Sequence, residues 1–271
     1  MPEAVETGQT RLSGGIGVRA LVSAMLVALV VAGCGRSSVG VRVAGSTSIQ
    51  PVAEVLAESF VKQGGARVSI QGGGSTAGVQ ALRSGVADLA AVSRDLTAEE
   101  VGQGLRPHVV ALDVLVIAVH PSNPVTELSV GDLSRLFAGE VNDWADLGGR
   151  PGRIHLVSRE AGSGSREAFR SLVGPVSPAA IIQNSAGAIR VAVMHDPGAV
   201  GYVSLGALGL GGIKPVRVNG RLPGEAGYPL VRSLALVTMG APAGEAARFL
   251  HFARGPEGQR LVREEGLLPV E

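Results

Sequence analysis

Val41-Arg42-Val43-Ala44-Gly45-Ser46-Thr47-Ser48-Ile49-Gln50-Pro51 is a short apolar run that breaks into a turn of Gly, Ser and Thr. A helical pattern follows, with Val52, Val55, Leu56 and Phe60 at helix spacing up to residue 62. The same arrangement returns at Gly72-Gly73-Gly74-Ser75-Thr76 and at Gly162-Ser163-Gly164-Ser165. Such turns aim backbone N–H groups, hydroxyls and a helix N-terminus at one point, which suits an anion. One of them alone is usually no more than a helix cap. Three in one chain, the third introduced by Leu156-Val157-Ser158-Arg159-Glu160, point to a tetrahedral oxyanion held by hydroxyls and one fixed guanidinium.

Outward from these turns the chain alternates strand-like and helix-like segments, the pattern of an α/β protein. Strands are expected at 67–71, 88–92, 154–158, 201–203 and 234–238, and helices at 77–83, 130–137, 165–173, 186–195 and 244–254. The apolar run 109–119, stopped by His120-Pro121-Ser122-Asn123-Pro124, is long enough to pass from one lobe to another. In open α/β sheets ligands sit at the carboxyl ends of strands. All three turns fall there, two in a first lobe and one in a second, so the anion is expected in a cleft between lobes.

The 271 residues carry a formal charge of +1 and only 3% aromatic side chains. That balance argues against a nucleic-acid surface, which needs clustered basic excess and aromatic platforms. Lys62 and Lys214 are the only lysines. Residues 20–33 form an apolar stretch after Arg11 and Arg19, within the length of a signal-peptide core, roughly 7 to 15 residues, and short of the roughly 20 a spanning helix needs. Val31-Ala32-Gly33-Cys34 resembles a bacterial lipoprotein signal. Residues 1–33 are therefore expected to be a lipoprotein signal peptide, Cys34 the lipidated N-terminus and residues 34–40 a tether. The body would then be lipid-anchored outside the cytoplasm, in a periplasm or on the outer face of the cell membrane.

Six motifs taken in order resemble the phosphate-binding protein of bacterial phosphate ABC importers. They are Gly45 to Pro51, Gly72 to Gly78, Ala87-Asp88-Leu89 through Ser93-Arg94, Asn142 to Gly149, Arg159 to Arg166, and Asp196 to Val203. The resemblance implies a two-lobed periplasmic-binding-protein fold of type II. Its two crossover segments would lie near 115–119 and 228–235, with residues 41–116 plus 230–271 as lobe 1 and 117–229 as lobe 2. It also implies a phosphate site: the Thr47 hydroxyl, the Ser48 amide, the hydroxyl and amide of Ser75, the Arg159 fork, and Ser163, Gly164 and Ser165 from the second lobe. Ser93 stands where longer members of the family have an aspartate that accepts the proton of hydrogen phosphate. A serine oxygen can still accept, but it repels sulfate far less. An ABC permease is the implied partner and a monomer the expected state.

Other readings are weaker. No Gly-Lys-Ser or Gly-Lys-Thr supplies a nucleotide loop, and no Gly-x-Ser-x-Gly or placed histidine activates Ser163 or Ser165. No enzyme activity or cofactor is expected, and with five scattered histidines and one cysteine, no metal site. Sulfate, molybdate or a phosphonate remain alternative ligands, and a surface phosphate-ester hydrolase or an anion-free sensor are alternatives of another class. Arg94 reads as a second-layer contact, a lobe-closing pair or a solvated group. Asn184-Ser185 reads as a helix cap, Asp88 as a turn end bonded to local amides, and Trp144 as packing.

Overall fold

The computed structural model describes residues 40–270, together with Met1 and Ala4. The expected leader (1–33), Cys34 and the tether up to residue 39 lie outside the described residues. Strand β1 (Val41–Gly45) turns Val41 and Val43 into the core and pairs in parallel with β2 (Val68–Gly72) on one side and β3 (Leu89–Val92) on the other. Parallel neighbours need a crossover, and α1 (Gln50–Lys62) and α2 (Ser75–Arg83) supply it. Pro51 suits the first turn of α1, where its missing N–H costs nothing.

After the short α3 (Ala98–Gly102), one long strand joins the two halves of the main sheet. Strand β4 (Leu105–Val119) pairs antiparallel with β11 (Val231–Met239) from Leu105 to Val114, then with β8 (Ala199–Ser204) from Leu115 to Val119. The exchange of partners falls beside Leu230, whose carbonyl accepts the Leu115 N–H at 2.8 Å. Beyond it, β6 (His155–Arg159) runs parallel to β8 and to β7 (Ile181–Gln183). The strand order across the whole sheet is β2-β1-β3-β11-β4-β8-β6-β7. Strand β9 (Lys214–Pro215) also joins β4, and β5 (Glu127–Leu128) with β10 (Arg217–Val218) forms a separate pair.

Each half of this sheet has its own core. On one face of the first half, Ile49, Leu56 and Phe60 pack against Phe249 of α7 (Gly244–Arg254) and Leu261 of α8 (Pro256–Glu264); on the other, Val79 and Leu82 of α2 meet Ala90, Val92 and Val237. In the second half, Phe137 of α4 (Val130–Ala138), Phe169 of α5 (Gly164–Leu172) and Ile189 of α6 (Ala186–His195) surround Val116 and Ile117. The Phe169 ring stacks on Tyr202 at 4.3 Å between centroids. Each such buried side chain stabilises by about 1.5–3 kcal/mol. Among the described residues no helix is long and apolar enough to cross a membrane.

Several local features differ from the sequence reading. Helix α2 begins at Ser75, so the hydroxyl at that position sits in the first helical turn. Strand β4 starts at Leu105 because Arg106, Pro107 and His108 register against Thr238, Val237 and Leu236. Helix α8 lies beyond the last helix expected from the sequence, 244–254, and Pro256 opens it. Asp88 does not bond local amides; it accepts the Arg42 amide at 2.8 Å and that residue's guanidinium, joining β1 to the start of β3. Trp144 is packed in the second core and donates its ring N–H to the Gly198 carbonyl.

Arg94 is committed to Glu100. Its Nη1 and Nη2 lie 2.7 and 2.8 Å from the two carboxylate oxygens, and Glu100 also accepts the Thr97 amide in the capping box of α3. The Arg94 guanidinium, helped by that amide, holds the Glu100 carboxyl below its ordinary value against the opposing effect of burial. A carboxylate depressed in the folded state contributes stability fully present above its unfolded pKa of about 4.3 and lost as pH falls through the folded value. Glu100→Gln is therefore expected to cost about 1–3 kcal/mol at pH 7, with the gap to wild type narrowing as pH falls from about 5 towards 3. Urea unfolding across that range checks this; a gap independent of pH would contradict it.

Candidate functional site

The carboxyl ends of β1, β2 and β6 converge, and the three Gly/Ser/Thr turns meet there. Gly45 has φ +142°, and a Cβ on it would collide with the Ala91 carbonyl oxygen, the same oxygen that accepts the Ser46 amide at 2.8 Å. The Gly45 carbonyl in turn accepts the amides of Gly73 and Gly74 at 2.8 and 2.9 Å. The first two turns are thus tied together by backbone.

Hydroxyls fill the space these turns enclose. Ser46 Oγ accepts the Ser48 amide at 3.1 Å and donates to Ser93 Oγ at 2.8 Å. Ser75 Oγ accepts the Ser93 amide at 3.1 Å and lies 3.5 Å from Ser93 Oγ. Ser75 and Ser93 are wholly inaccessible, and Ser46 and Ser48 are buried. From the facing lobe, Ser165 Oγ approaches Ser48 Oγ to 2.8 Å. Gly164 sits directly over the first-lobe serines: a Cβ there would collide with Ser75 Oγ and come within 2.6 Å of Ser93 Oγ. Two further bonds join the lobes, from the Thr76 amide to the Gly162 carbonyl at 3.1 Å and from the Ala186 amide to Thr47 Oγ1 at 3.2 Å.

The N-termini of α1, α2 and α5 all open on this cluster, so their unpaired amides and dipoles favour negative charge at its centre. Arg159 ends β6 beside it, only 2% exposed, with Nε and Nη2 each 2.8 Å from Glu160. Its backbone is fixed as well, because its amide donates to the Tyr202 hydroxyl and its carbonyl accepts Arg166 Nη1. Burial pushes the Tyr202 phenol up, keeping it a neutral partner for Ser158 and Arg159. A second buried guanidinium, Arg232, reaches Ser165 from β11 and is paired with Asp113. Each of these two guanidinium groups is paired with a carboxylate, so hydroxyls, amides and helix dipoles share with Arg159 the attraction for an anion.

The structure brings Ser48, Ser75, Ser93, Gly164 and Ser165 into one buried cluster with Arg159 at its side. Thr47 lies at the margin, half-buried, its oxygen accepting the Ala186 amide. The Ser163 oxygen caps α5 by accepting the Arg166 amide at 3.4 Å. Ser185 caps α6, an ordinary N-cap. Three participants escaped the sequence reading. Ser46 stands within the first turn, and nothing in the local sequence sets its hydroxyl apart from those of Thr47 and Ser48. Asp113 and Arg232 left a clearer signal, a charge inside each of two apolar strand runs.

A family model described as a PBP superfamily domain matches residues 8–257. Phosphate-binding protein PstS of Bacillus subtilis is 29% identical over 251 residues, covering 87% of this chain and 82% of its own. Among solved structures, this chain is similar to a protein from Clostridium perfringens described as a phosphate ABC transporter substrate-binding protein with bound phosphate, with a TM-score of 0.81 and 31% identity over 86% of this chain and 100% of that one. It is also similar to an ABC-type phosphate transport receptor from Vibrio cholerae, with a TM-score of 0.72 and 33% identity over 85% of this chain and 100% of the other. The two-lobed periplasmic-binding-protein fold with paired crossover strands is thus the architecture of this chain and of its relatives alike. A family match across most of the sequence and whole-length relatives above 30% identity place the protein in the PBP superfamily, among the phosphate-binding proteins of bacterial phosphate ABC importers.

Proposed function

We propose that this protein captures inorganic phosphate outside the cytoplasm and delivers it to an ABC permease. The observation that carries the reading is the meeting of buried serine hydroxyls from two lobes at three helix N-termini, with the buried Arg159 ending the strand that leads into one of the turns. A dehydrated phosphate presents four oxygens, each needing hydrogen bonds, and burying its charge without donors would be prohibitive. Thr47, Ser48, Ser75 and Ser93 contribute from lobe 1 (41–116 with 230–271), and Arg159, Ser163, Gly164 and Ser165 from lobe 2 (117–229). Donors from both sides are satisfied together only when the lobes are closed, so phosphate stabilises the closed form by its differential affinity. The names of the relatives, phosphate-binding proteins and a phosphate transport receptor, support the same ligand and the transport role.

Lipid attachment at Cys34 and a monomeric body belong to this proposal. Such an anchor holds firmly when several acyl chains are attached, since one alone is marginal. The permease would recognise the closed, loaded form. Ser93 in place of a carboxylate makes discrimination against sulfate the open axis of specificity.

Equilibrium dialysis with labelled phosphate, repeated in excess sulfate, tests the reading. Arg159→Ala is expected to cost on the order of 2–5 kcal/mol of binding by removing a buried charged donor at the strand end that leads into the site, while Arg94→Ala, whose guanidinium bonds Glu100 and the Asp95 carbonyl and none of the serines, leaves affinity nearly unchanged. Equal losses would contradict the assigned roles. Gly164→Ala is expected to abolish tight binding as well, because the added methyl collides with Ser75 and Ser93 on closure. Wild-type affinity in that variant would mean the lobes do not meet as described.

A further inference from the structure

Asp113 on β4 and Arg232 on β11 stand opposite each other where the crossover strands pair, and both are buried, Asp113 completely. Asp113 Oδ2 accepts Arg232 Nε at 3.0 Å and Nη2 at 2.7 Å. Its other oxygen accepts the Ser204 hydroxyl at 2.6 Å and the Leu205 amide at 3.2 Å, both at the end of β8. The remaining guanidinium nitrogen, Nη1, donates to Ser165 Oγ at 2.6 Å, and that oxygen lies 2.8 Å from Ser48 Oγ across the cleft. One hydrogen-bonded chain therefore runs from the crossover strands, through Asp113 and Arg232, into the second-lobe turn and on to the first lobe.

A buried ion pair is seldom a net source of stability compared with apolar residues of the same volume, so its place here calls for another reason. A guanidinium can only donate. Ser165 Oγ must accept from Arg232, which turns the Ser165 proton away from the hinge and towards Ser48 and the cleft centre. We propose that Arg232, held by Asp113, aims the Ser165 hydroxyl as a donor to the bound oxyanion and ties that donor to the crossover strands. The inference rests on the oxyanion reading above. Arg232 is a positioning residue, since it acts through Ser165.

A purely electrostatic role predicts something different. Removing the Asp113 charge beside an anion site would then strengthen binding of a dianion, whereas loss of aim weakens it. Calorimetric titration of phosphate into the purified protein separates the two. Arg232→Lys and Ser165→Ala are each expected to weaken binding about tenfold or more. The double variant should bind within about twofold of Ser165→Ala alone, because both changes remove the same contact. Asp113→Asn should also weaken binding. Multiplicative losses in the double variant, or tighter binding by Asp113→Asn, would overturn the proposal.

Thermal melting without ligand shows which variants fold. Should Asp113→Asn or Arg232→Lys not fold, Ser204→Ala carries the test, since it removes one anchor of Asp113 and leaves the ion pair: weakened phosphate binding is expected, and unchanged binding overturns the proposal. Failure of the wild type to bind phosphate contradicts the proposed function itself, whereas normal wild-type binding with independent losses contradicts this inference alone.

Discussion

Hydroxyls taken out of water must find partners, and here Ser46, Ser48, Ser75, Ser93 and Ser165 are taken out together, between two apolar cores. Each unbonded hydroxyl would cost about 1–3 kcal/mol, and the bonds that prevent this come from both halves of the molecule. Much else in the structure follows from that requirement. Strands β1, β2 and β6 end at the cluster, helices α1, α2 and α5 begin there, and Gly164 carries no side chain because the first-lobe serines occupy the space where one would go. The cluster carries balanced charge, with Arg159 set against Glu160 and Arg232 against Asp113. An arriving anion is consequently met by oriented dipoles more than by net charge, which suits a ligand that must later be released.

The crossover strands decide how the two halves can move. Because β4 serves β11 with one end and β8 with the other, the two halves are joined near Val114, Leu115 and Leu230, where the pairing changes hands, and hinge closure of the proposed kind would bend the chain there. Large rearrangement elsewhere would break well-packed cores, such as the Phe60–Phe249 and Phe169–Tyr202 contacts. At the cleft itself the Ser48–Ser165, Thr76–Gly162 and Thr47–Ala186 contacts are small and polar.

Around the three Gly/Ser/Thr turns, strand, turn and helix are legible because the apolar period changes from continuous to helical across each one, whereas the short α3, β5, β7, β9 and β10 carry too few residues to show a period. The turns themselves were legible for the same reason that they matter: few other residues allow so many donors in so short a span. Arg159 could be singled out by its place before Gly162 to Ser165, but its pairing with Glu160 and its full burial depend on tertiary packing against Tyr202 and Arg166. Asp113 and Arg232 stood apart in sequence by 119 residues, and only the strand register brings them together. Helix α8 was hidden because its apolar content is confined to Leu261 and Val262 among polar and small residues. Asp88 and Arg94 found partners on the structure's own terms, Arg42 and Glu100, that local spacing could not rank.

The central claim is that one phosphate is enclosed by donors from both lobes that come together only on closure. Small-angle X-ray scattering of ligand-stripped protein, titrated with phosphate, tests it most directly. The account predicts a radius of gyration that contracts as phosphate is added and stops changing at one phosphate per chain. Saturable phosphate binding with no change in the radius would contradict it, since the anion would then be held by one lobe alone.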